Sequence, residues 1–369
     1  MKLVFVSNYI NHHQIPMSDA LYKLTGGSYR FIQTEAMEEE RIKLGWDSSA
    51  SEKPYVMDFN KAPEDCRDLI MTSDSVIFGG IDDESYIMPR LEAGLFTIRY
   101  SERIYKTGRW KFISPRGLIK KYHDHVRFRK NPVYLLCAGA FVKGDFKLIH
   151  AYKNKMLKFG YFPETIEYMD LHEERRENTS VNILWVGRFI GWKHPEMMIK
   201  LNDALKSSGI DYKITMAGTG ELLQIIKDVA DGSINFTGPQ TPDEIRVLMR
   251  KADIFISTSD QQEGWGAVIN EAMNSGCAVV ASNKIGAAPY LIKDNVNGLL
   301  FKSKNQKDLN KKVMSLLSDA NKRHELGDAA YSTILSTWNA KVAAERIIKF
   351  IEDETHKIPE YESGPMSRA

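Results

Sequence analysis

Short β-rich runs alternate with helical stretches along the whole chain, and no other feature constrains the fold as tightly. The runs fall at residues 2–7, 75–78, 95–100, 133–137, 182–186, 212–217, 254–258 and 277–281. Strands interleaved with helices pair in parallel, so the pattern predicts an α/β fold. With 369 residues and about 150 residues per domain, two domains are expected. The charged stretch 171–180, holding Glu173, Glu174, Arg175, Arg176 and Glu177, lacks apolar periodicity and reads as the linker between them. The domains are therefore expected at 1–171 and 180–338. Residues 339–369 read as a helix, with Val342, Ile347, Ile348 and Ile351 on one face, that crosses back to the first domain and ends in a frayed tail from Tyr361.

Composition removes several classes of function. Lys and Arg number 50 against 48 Asp and Glu, a net charge of +2, which argues against a generally basic nucleic-acid surface. The longest apolar runs, near 252–256 and 277–281, fall far short of the ~18 residues that cross a bilayer. Asn8 and His12 interrupt the apolar start before a signal-peptide core forms, so it reads as a first strand. Cys66, Cys137 and Cys277 show neither CxxC nor Cys/His ligand spacing, which favours a reducing cytoplasm over a disulfide framework or zinc site. Overall neutrality hides one basic segment: between Arg103 and Lys130 ten bases accompany a single acid, Asp124.

The densest motif runs from Ser257 to Ser282. A strand ends near Thr258, a polar loop carries Glu263, Gly264, Trp265 and Gly266, and a helix holding Glu271 runs from about Ala267 to Gly276. Glycines let backbone approach a ligand, and the helix N-terminus leaves amides free for its oxygens. Both carboxylates then belong at the C-terminal ends of parallel strands, where ligands of open α/β sheets bind. Two acceptor carboxylates with backbone donors between them suit a polyhydroxylated ligand such as a sugar and a ribose. A first-turn Glu also complements a helix dipole without any ligand, but the flanking glycines and strands favour the ligand. Upstream, an apolar strand runs into Gly187 and Arg188, with Lys193 five residues on. Two cations there can neutralise a diphosphate, although a solvated Arg and Lys are the commoner outcome. Ala217-Gly218-Thr219-Gly220 forms a Gly-x-Gly turn after another strand, and Gly238-Pro239 precedes a capping box at Thr241 and Glu244.

In this order and spacing the four features resemble the C-terminal domain of GT-B glycosyltransferases of family 4, over about residues 181–301. Glu263-x7-Glu271, Gly187-Arg188 with Lys193, Ala217 to Gly220, and Asn297-Gly298-Leu299-Leu300 carry the likeness. The resemblance implies two Rossmann-like domains facing a central cleft, a nucleotide-diphosphate sugar donor and retention of anomeric configuration. It implies Arg188 and Lys193 on the diphosphate, Glu271 on the ribose, and Glu263 with the amides of Gly264 to Gly266 on the transferred sugar. Gly187, Gly218, Gly220, Gly238, Pro239 and Trp265 fall in the same donor site. One departure stands out. The family's Gly-Gly-x-Pro-Glu is replaced by Gly286-Ala287-Ala288-Pro289-Tyr290, and a phenol does not accept hydrogen bonds as a carboxylate does. Donor identity is left open by that change.

The first half resembles the family more loosely, through the segment from Ser7 to Pro16, which is similar to the start of transferases that build bacterial surface polysaccharides. The family's histidine after an N-domain strand is missing, because the run 95–100 continues into Ser101 and Glu102. Glu102 or His13 is expected to take its role, with Asn11 and His12 beside the acceptor. The alternative for both histidines is simple polarity at a helix start near Pro16. Arg103, Lys106, Arg109, Trp110 and Lys111 interleave bases with aromatics, which suits a lipid diphosphate acceptor at an anionic membrane surface, or else a solvated face. The expectation is a cytoplasmic enzyme, peripheral at the inner face of the plasma membrane, moving a sugar from a UDP- or GDP-sugar to a carbohydrate or lipid-linked acceptor in surface-polysaccharide biosynthesis. No cofactor or metal is expected: Asp82-Asp83 lacks Asp-x-Asp spacing, and Arg188 with Lys193 can replace Mg²⁺. A nicotinamide-dependent oxidoreductase is the rival enzyme, but the first strand lacks a following Gly-x-Gly-x-x-Gly. A non-catalytic sugar-binding protein is the other rival, and Glu263, Glu271, Arg188 and Lys193 stand against it.

Overall fold

The computed structural model describes residues 1–37, 48–108 and 114–369. It divides into two units, Met1–Glu164 with Trp338–Ala369, and Thr165–Thr337. Unit 1 contains β1 (Leu3–Ser7), β2 (Tyr29–Gln33), β3 (Val56–Asp58), β4 (Ser75–Gly79), β5 (Thr97–Ser101), β6 (Val133–Ala138) and β7 (Met156–Phe159). They form one parallel sheet in the order β3-β2-β1-β4-β5-β6-β7. Every residue of β1 and β4 is buried, as expected of central parallel strands covered on both faces, and this is why they read as continuous apolar runs.

Unit 2 contains β8 (Val181–Val186), β9 (Tyr212–Ala217), β10 (Ile234–Gly238), β11 (Ile254–Ser257), β12 (Ala278–Ser282) and β13 (Leu299–Phe301). Its parallel order is β10-β9-β8-β11-β12-β13, the doubly wound arrangement in which chain direction across the sheet reverses between β8 and β11. Trp185, Phe189, Met198, Leu201, Ile256, Val280 and Phe301 are among the side chains that fill its core.

Five strands, β2, β3, β7, β10 and β13, were not among the predicted runs. Four of them are sheet edges, where positions such as the half-buried Lys158 and the exposed Asn235 dilute the apolar signal. The segment 171–180 is not a linker. Arg175 is buried there, and its guanidinium donates to the carbonyls of Ala252, Met249 and Ser275, so a charge that looked solvated is satisfied inside unit 2. Nor is the tail frayed. Met366 and Ser367 are buried; the Lys158 amide donates to Ser367 O, and the Met366 and Ala369 amides donate to Lys158 O and Met156 O. The tail thereby covers the outer edge of β7. The helix Ala340–Glu352 belongs to unit 1 and packs against the helix Ile15–Leu24, burying Ala343, Ala344, Ile347 and Ile351. No helix of the described residues is long and apolar enough to cross a membrane.

Candidate functional site

The loops leaving β8 and β11 diverge where the order of the sheet reverses, which opens a crevice at the C-terminal ends of these strands. The first loop carries Arg188 and Lys193, the second Glu263. Lys193 Nζ and the Glu263 carboxylate form an ion pair, their side chains 12% and 14% exposed, and Ser259 Oγ donates to the same carboxylate at 3.1 Å. The sequence assigned one to a diphosphate and the other to a sugar; the structure joins them directly. Arg188 is exposed, with its guanidinium carbon 5.8 Å from the Trp192 ring centre, and Lys193 Nζ lies 4.9 Å from the same ring. Glu271 sits on the helix Val268–Asn274. Desolvation pushes its carboxyl from near 4.5 up to about 7, with the charge of Arg246 pulling the other way. The amides of Gly264 and Gly266 donate to nothing among the described residues, so they are available to ligand oxygens.

The other donor-site candidates divide by what surrounds them. The Gly187 amide donates to Ala217 O at 3.0 Å and the Gly218 amide to Gly238 O at 2.8 Å. A Cβ on Gly218, whose φ is +131°, would lie 2.0 Å from Gly187 O. Gly218 is therefore glycine because backbone packs on backbone there, which the Gly-x-Gly reading had credited to a ligand. Gly220 lies on the same turn, against Phe189. Gly238 faces open space and Pro239 is exposed, so this loop forms a free rim. The Trp265 side chain leaves the donor site. It is 1% exposed and its indole donates to Asn270 Oδ1 at 2.9 Å, because the loop needs an apolar anchor between its two glycines. The capping box forms as predicted, with Glu244 N donating to Thr241 Oγ1 and Thr241 N to the Glu244 carboxylate.

In unit 1 the order of strands turns between β1 and β4. Asn11, His12 and His13 follow β1, and the Asn11 side chain accepts from the His13 amide and donates to Gln14. The His13 ring lies parallel to Tyr161 at 6.2 Å. Tyr161 OH in turn donates to Glu102 at 2.7 Å, and Lys106 pairs with the other oxygen of that carboxylate. His13, Glu102 and Lys106 thus meet around a tyrosine that the sequence had not singled out. Arg103 is a correction in part: its guanidinium is buried on Asp145, with contacts of 2.9 and 3.1 Å, so it does not face a membrane, although the residue lines the unit 1 pocket beside Glu102 and Lys106. Arg109, Trp110 and Lys111 lie outside the described residues.

Two further groups had no clear signal of their own. A pocket of about 470 Å³ in unit 1 is lined by Glu84, Arg99, Glu102, Lys121, Asp124 and Tyr161. Arg99 grips Glu84 with contacts of 2.5 and 2.6 Å, and His125, whose pKa burial and Arg99 push well below 6.5, stays neutral beside Tyr152 OH at 2.8 Å. An arginine inside the apolar run of β5 was the available clue. In unit 2, His194 and Asp260 lie behind Lys193 and Glu263.

A doubly wound sheet with cations and carboxylates at its turning point is a nucleotide-binding architecture, and the two units together have the GT-B fold. Residues 170–333, nearly all of unit 2, match the family described as "Glycosyl transferases group 1". An uncharacterised glycosyltransferase of Methanocaldococcus jannaschii is 28% identical over 177 residues, 47% of this chain and 45% of that protein. An alpha-1,4-N-acetyl-D-galactosaminyltransferase of Campylobacter jejuni, named for a diNAcBac-PP-undecaprenol-linked acceptor, is 27% identical over 54% of this chain and 56% of its own. The chain thus spans about half the length of these relatives. Among solved structures, Anabaena HepE in complex with UDP superposes with a TM-score of 0.71 at 16% identity, over 95% of this chain and 99% of that one.

Proposed function

We propose that the chain is a retaining glycosyltransferase that takes a sugar from a nucleoside-diphosphate donor bound by unit 2 and delivers it to a carbohydrate or lipid-linked acceptor bound by unit 1. The observation that carries this reading is the Lys193–Glu263 pair at the β8/β11 crevice, with Arg188 exposed on the same loop as Lys193. A diphosphate entering there competes with Glu263 for Lys193, and the released carboxylate turns to the sugar hydroxyls. Charge that grows on the leaving diphosphate then meets two fixed cations, so no metal is assigned and transfer should persist in EDTA. The lipid-linked acceptor named for the Campylobacter relative supports an acceptor of that class. The reading is tested by thermal shift with UDP, GDP, dTDP and ADP sugars, followed by proton NMR of the first product. A retained anomer is expected. An inverted linkage, or no stabilisation by any nucleotide, overturns it.

Glu271 is assigned to the ribose, which gives a prediction of definite sign. Its carboxyl holds a proton up to about pH 7, whereas the unfolded group releases it near 4.5. The apo protein should therefore lose stability as pH rises through that window, while nucleotide affinity rises because the ribose needs the ionised acceptor. Between about pH 6 and pH 8 the ionised fraction grows roughly tenfold. Isothermal titration with the preferred nucleotide should show that gain over and above any titration of the phosphate, and Glu271→Gln should remove it. Equal pH dependence in both proteins would take Glu271 off the ribose.

A membrane face is proposed for the helix Pro115–Lys121 and the residue after it, where Leu118, Ile119 and Tyr122 are 38%, 60% and 53% exposed beside the exposed Arg116 and Lys120; Lys121 lines the unit 1 pocket instead. Phe128 is excluded from that face because it is buried. The protein should sediment with anionic but not neutral vesicles, reversibly with salt, since attraction is screened beyond about 8 Å at physiological ionic strength. Changing Arg116 to Gln and Ile119 to Ser, both exposed, should weaken sedimentation severalfold without unfolding; unchanged sedimentation would leave a solvated face.

A further inference from the structure

His194 ends the short 3-10 turn Gly191–Lys193 in a left-handed conformation, with φ 52° and ψ 51°. Such backbone is uncommon for any residue but glycine, so something holds this side chain in place. Its ring is fixed at both nitrogens: Nδ1 lies 3.0 Å from Glu196 Oε1 and Nε2 lies 3.2 Å from Asp260 Oδ2. A neutral imidazole has one donor and one acceptor, and only the doubly protonated ring can serve two carboxylates. Asp260 is 3% exposed and its Oδ2 also takes Lys304 Nζ at 2.9 Å. The groups facing the ring are Glu196 from the following helix, Asp260 from the loop after β11 and Lys304 from the loop after β13, with Lys200 bearing on Glu196. Of the groups in direct contact, the carboxylates of Glu196 and Asp260 meet only one other cation, Lys304 on Asp260, so the ring is the one positive charge that touches both of them.

Asp260 is also where the two site loops are joined. Its amide donates to Trp192 O at 2.9 Å, and its carbonyl accepts from the Glu263 amide at 3.1 Å. Thr258 Oγ1, which accepts the Trp185 indole, donates to Lys193 O. Resting on the transfer reaction proposed above, we propose that His194 is a positioning residue whose charged ring clamps the loop bearing Lys193 to the loop bearing Glu263. The hydrogen bond to Glu196, helped by that to Asp260, raises the pKa of the ring above 6.5. A raised histidine pKa means that the clamp is complete below 6.5 and is lost as pH climbs through the folded value. At that point the ring can serve only one of the two carboxylates, and the Lys193 loop is held to the Glu263 loop by the Asp260 amide and Thr258 Oγ1 without the bridging charge, so it can shift; displacement of a catalytic group by about 1 Å costs roughly 100-fold in rate.

The test measures kcat against pH, with thermal melts, for the parent, His194→Asn and Glu196→Gln, using the nucleotide sugar found by the thermal-shift panel. The parent should lose activity on the alkaline side. Glu196→Gln, which removes one carboxylate and no site residue, should move that limb to lower pH by roughly one unit with donor KM nearly unchanged. His194→Asn should have no such limb and a kcat roughly 10- to 100-fold lower. A limb that stays put in Glu196→Gln overturns the clamp even if His194→Asn fails to fold. Ring titration by NMR without substrate separates this inference from the transfer reading. The Trp192 indole signal must change with the His194 ring, at lower pH in Glu196→Gln, and a Trp192 signal blind to that titration overturns the clamp whether or not transfer is detected.

Discussion

Lys193→Met is expected to lower kcat by about 10²–10³-fold, the usual effect of removing one fixed charge from a developing anion. Donor KM should rise less, because the interaction strengthens as the diphosphate leaves. The ion pair with Glu263 complicates the variant in a way that can be measured. At 12% and 14% exposure the two charges are largely desolvated, and removing one strands the other; for fully buried pairs that costs about 3–5 kcal/mol. Lys193→Met alone should therefore melt early. Adding Glu263→Gln should restore much of the melting temperature, since no carboxylate is then left unpaired, but it should restore none of the activity. A single variant that folds normally and turns over within about twofold of the parent would remove Lys193 from the diphosphate.

Gly286→Ala is expected to be the most damaging single methyl group in unit 2. A Cβ at Gly286 would lie 1.7 Å from Gly264 O and 2.7 Å from Gly264 C. The obstacle is backbone, so no rotamer change relieves it. The same strand end is tied to the site loop by the Gly286 amide on Glu263 O at 3.2 Å and the Ala287 amide on Trp265 O at 2.9 Å. Overpacking of this kind costs about 3 kcal/mol or more, which corresponds to a fall of roughly 6–12 °C in the melting of a unit this size. Any protein that still folds should have Glu263 displaced, and transfer should drop about 100-fold. Melting and activity within error of the parent would show that the two loops do not pack as described.

What could be read from the sequence was what is local along the chain. β8 and β11 are central strands with continuous apolar runs, and the spacing of Glu263 from Glu271 needs only one loop and one turn of helix to be understood. Thr241 and Glu244 form their box within a single turn. What could not be read was pairing at a distance. Lys193 and Glu263 are 70 residues apart, and nothing in either loop says that they will neutralise each other. The basic segment looked unpaired because its partner acids lie elsewhere: Asp145 is 42 residues beyond Arg103, and Glu102 stands just outside the stretch that was counted. Trp265 was misread for a related reason. Its position between two glycines marks a site loop, but only three-dimensional packing shows that the ring points inward and that the backbone alone is left for a ligand. Short edge strands such as β3 and β13, three residues each, carry too little pattern to be seen at all.

Unit 1 is discontinuous, with its last helix and tail supplied by residues 338–369 while residues 165–337 form the other unit. On the ribosome this separates the order of synthesis from the order of completion. Domains fold as units while the chain emerges, yet the helix Ile15–Leu24 must wait for the helix Ala340–Glu352, and β7 must wait for the strand-like tail that covers its edge. Unit 2 can close as soon as its own contiguous residues have left the exit tunnel. The half of the molecule made first is thus the half finished last, and a nascent chain stalled after residue 337 would carry a complete unit 2 joined to a sheet whose β7 edge is still uncovered.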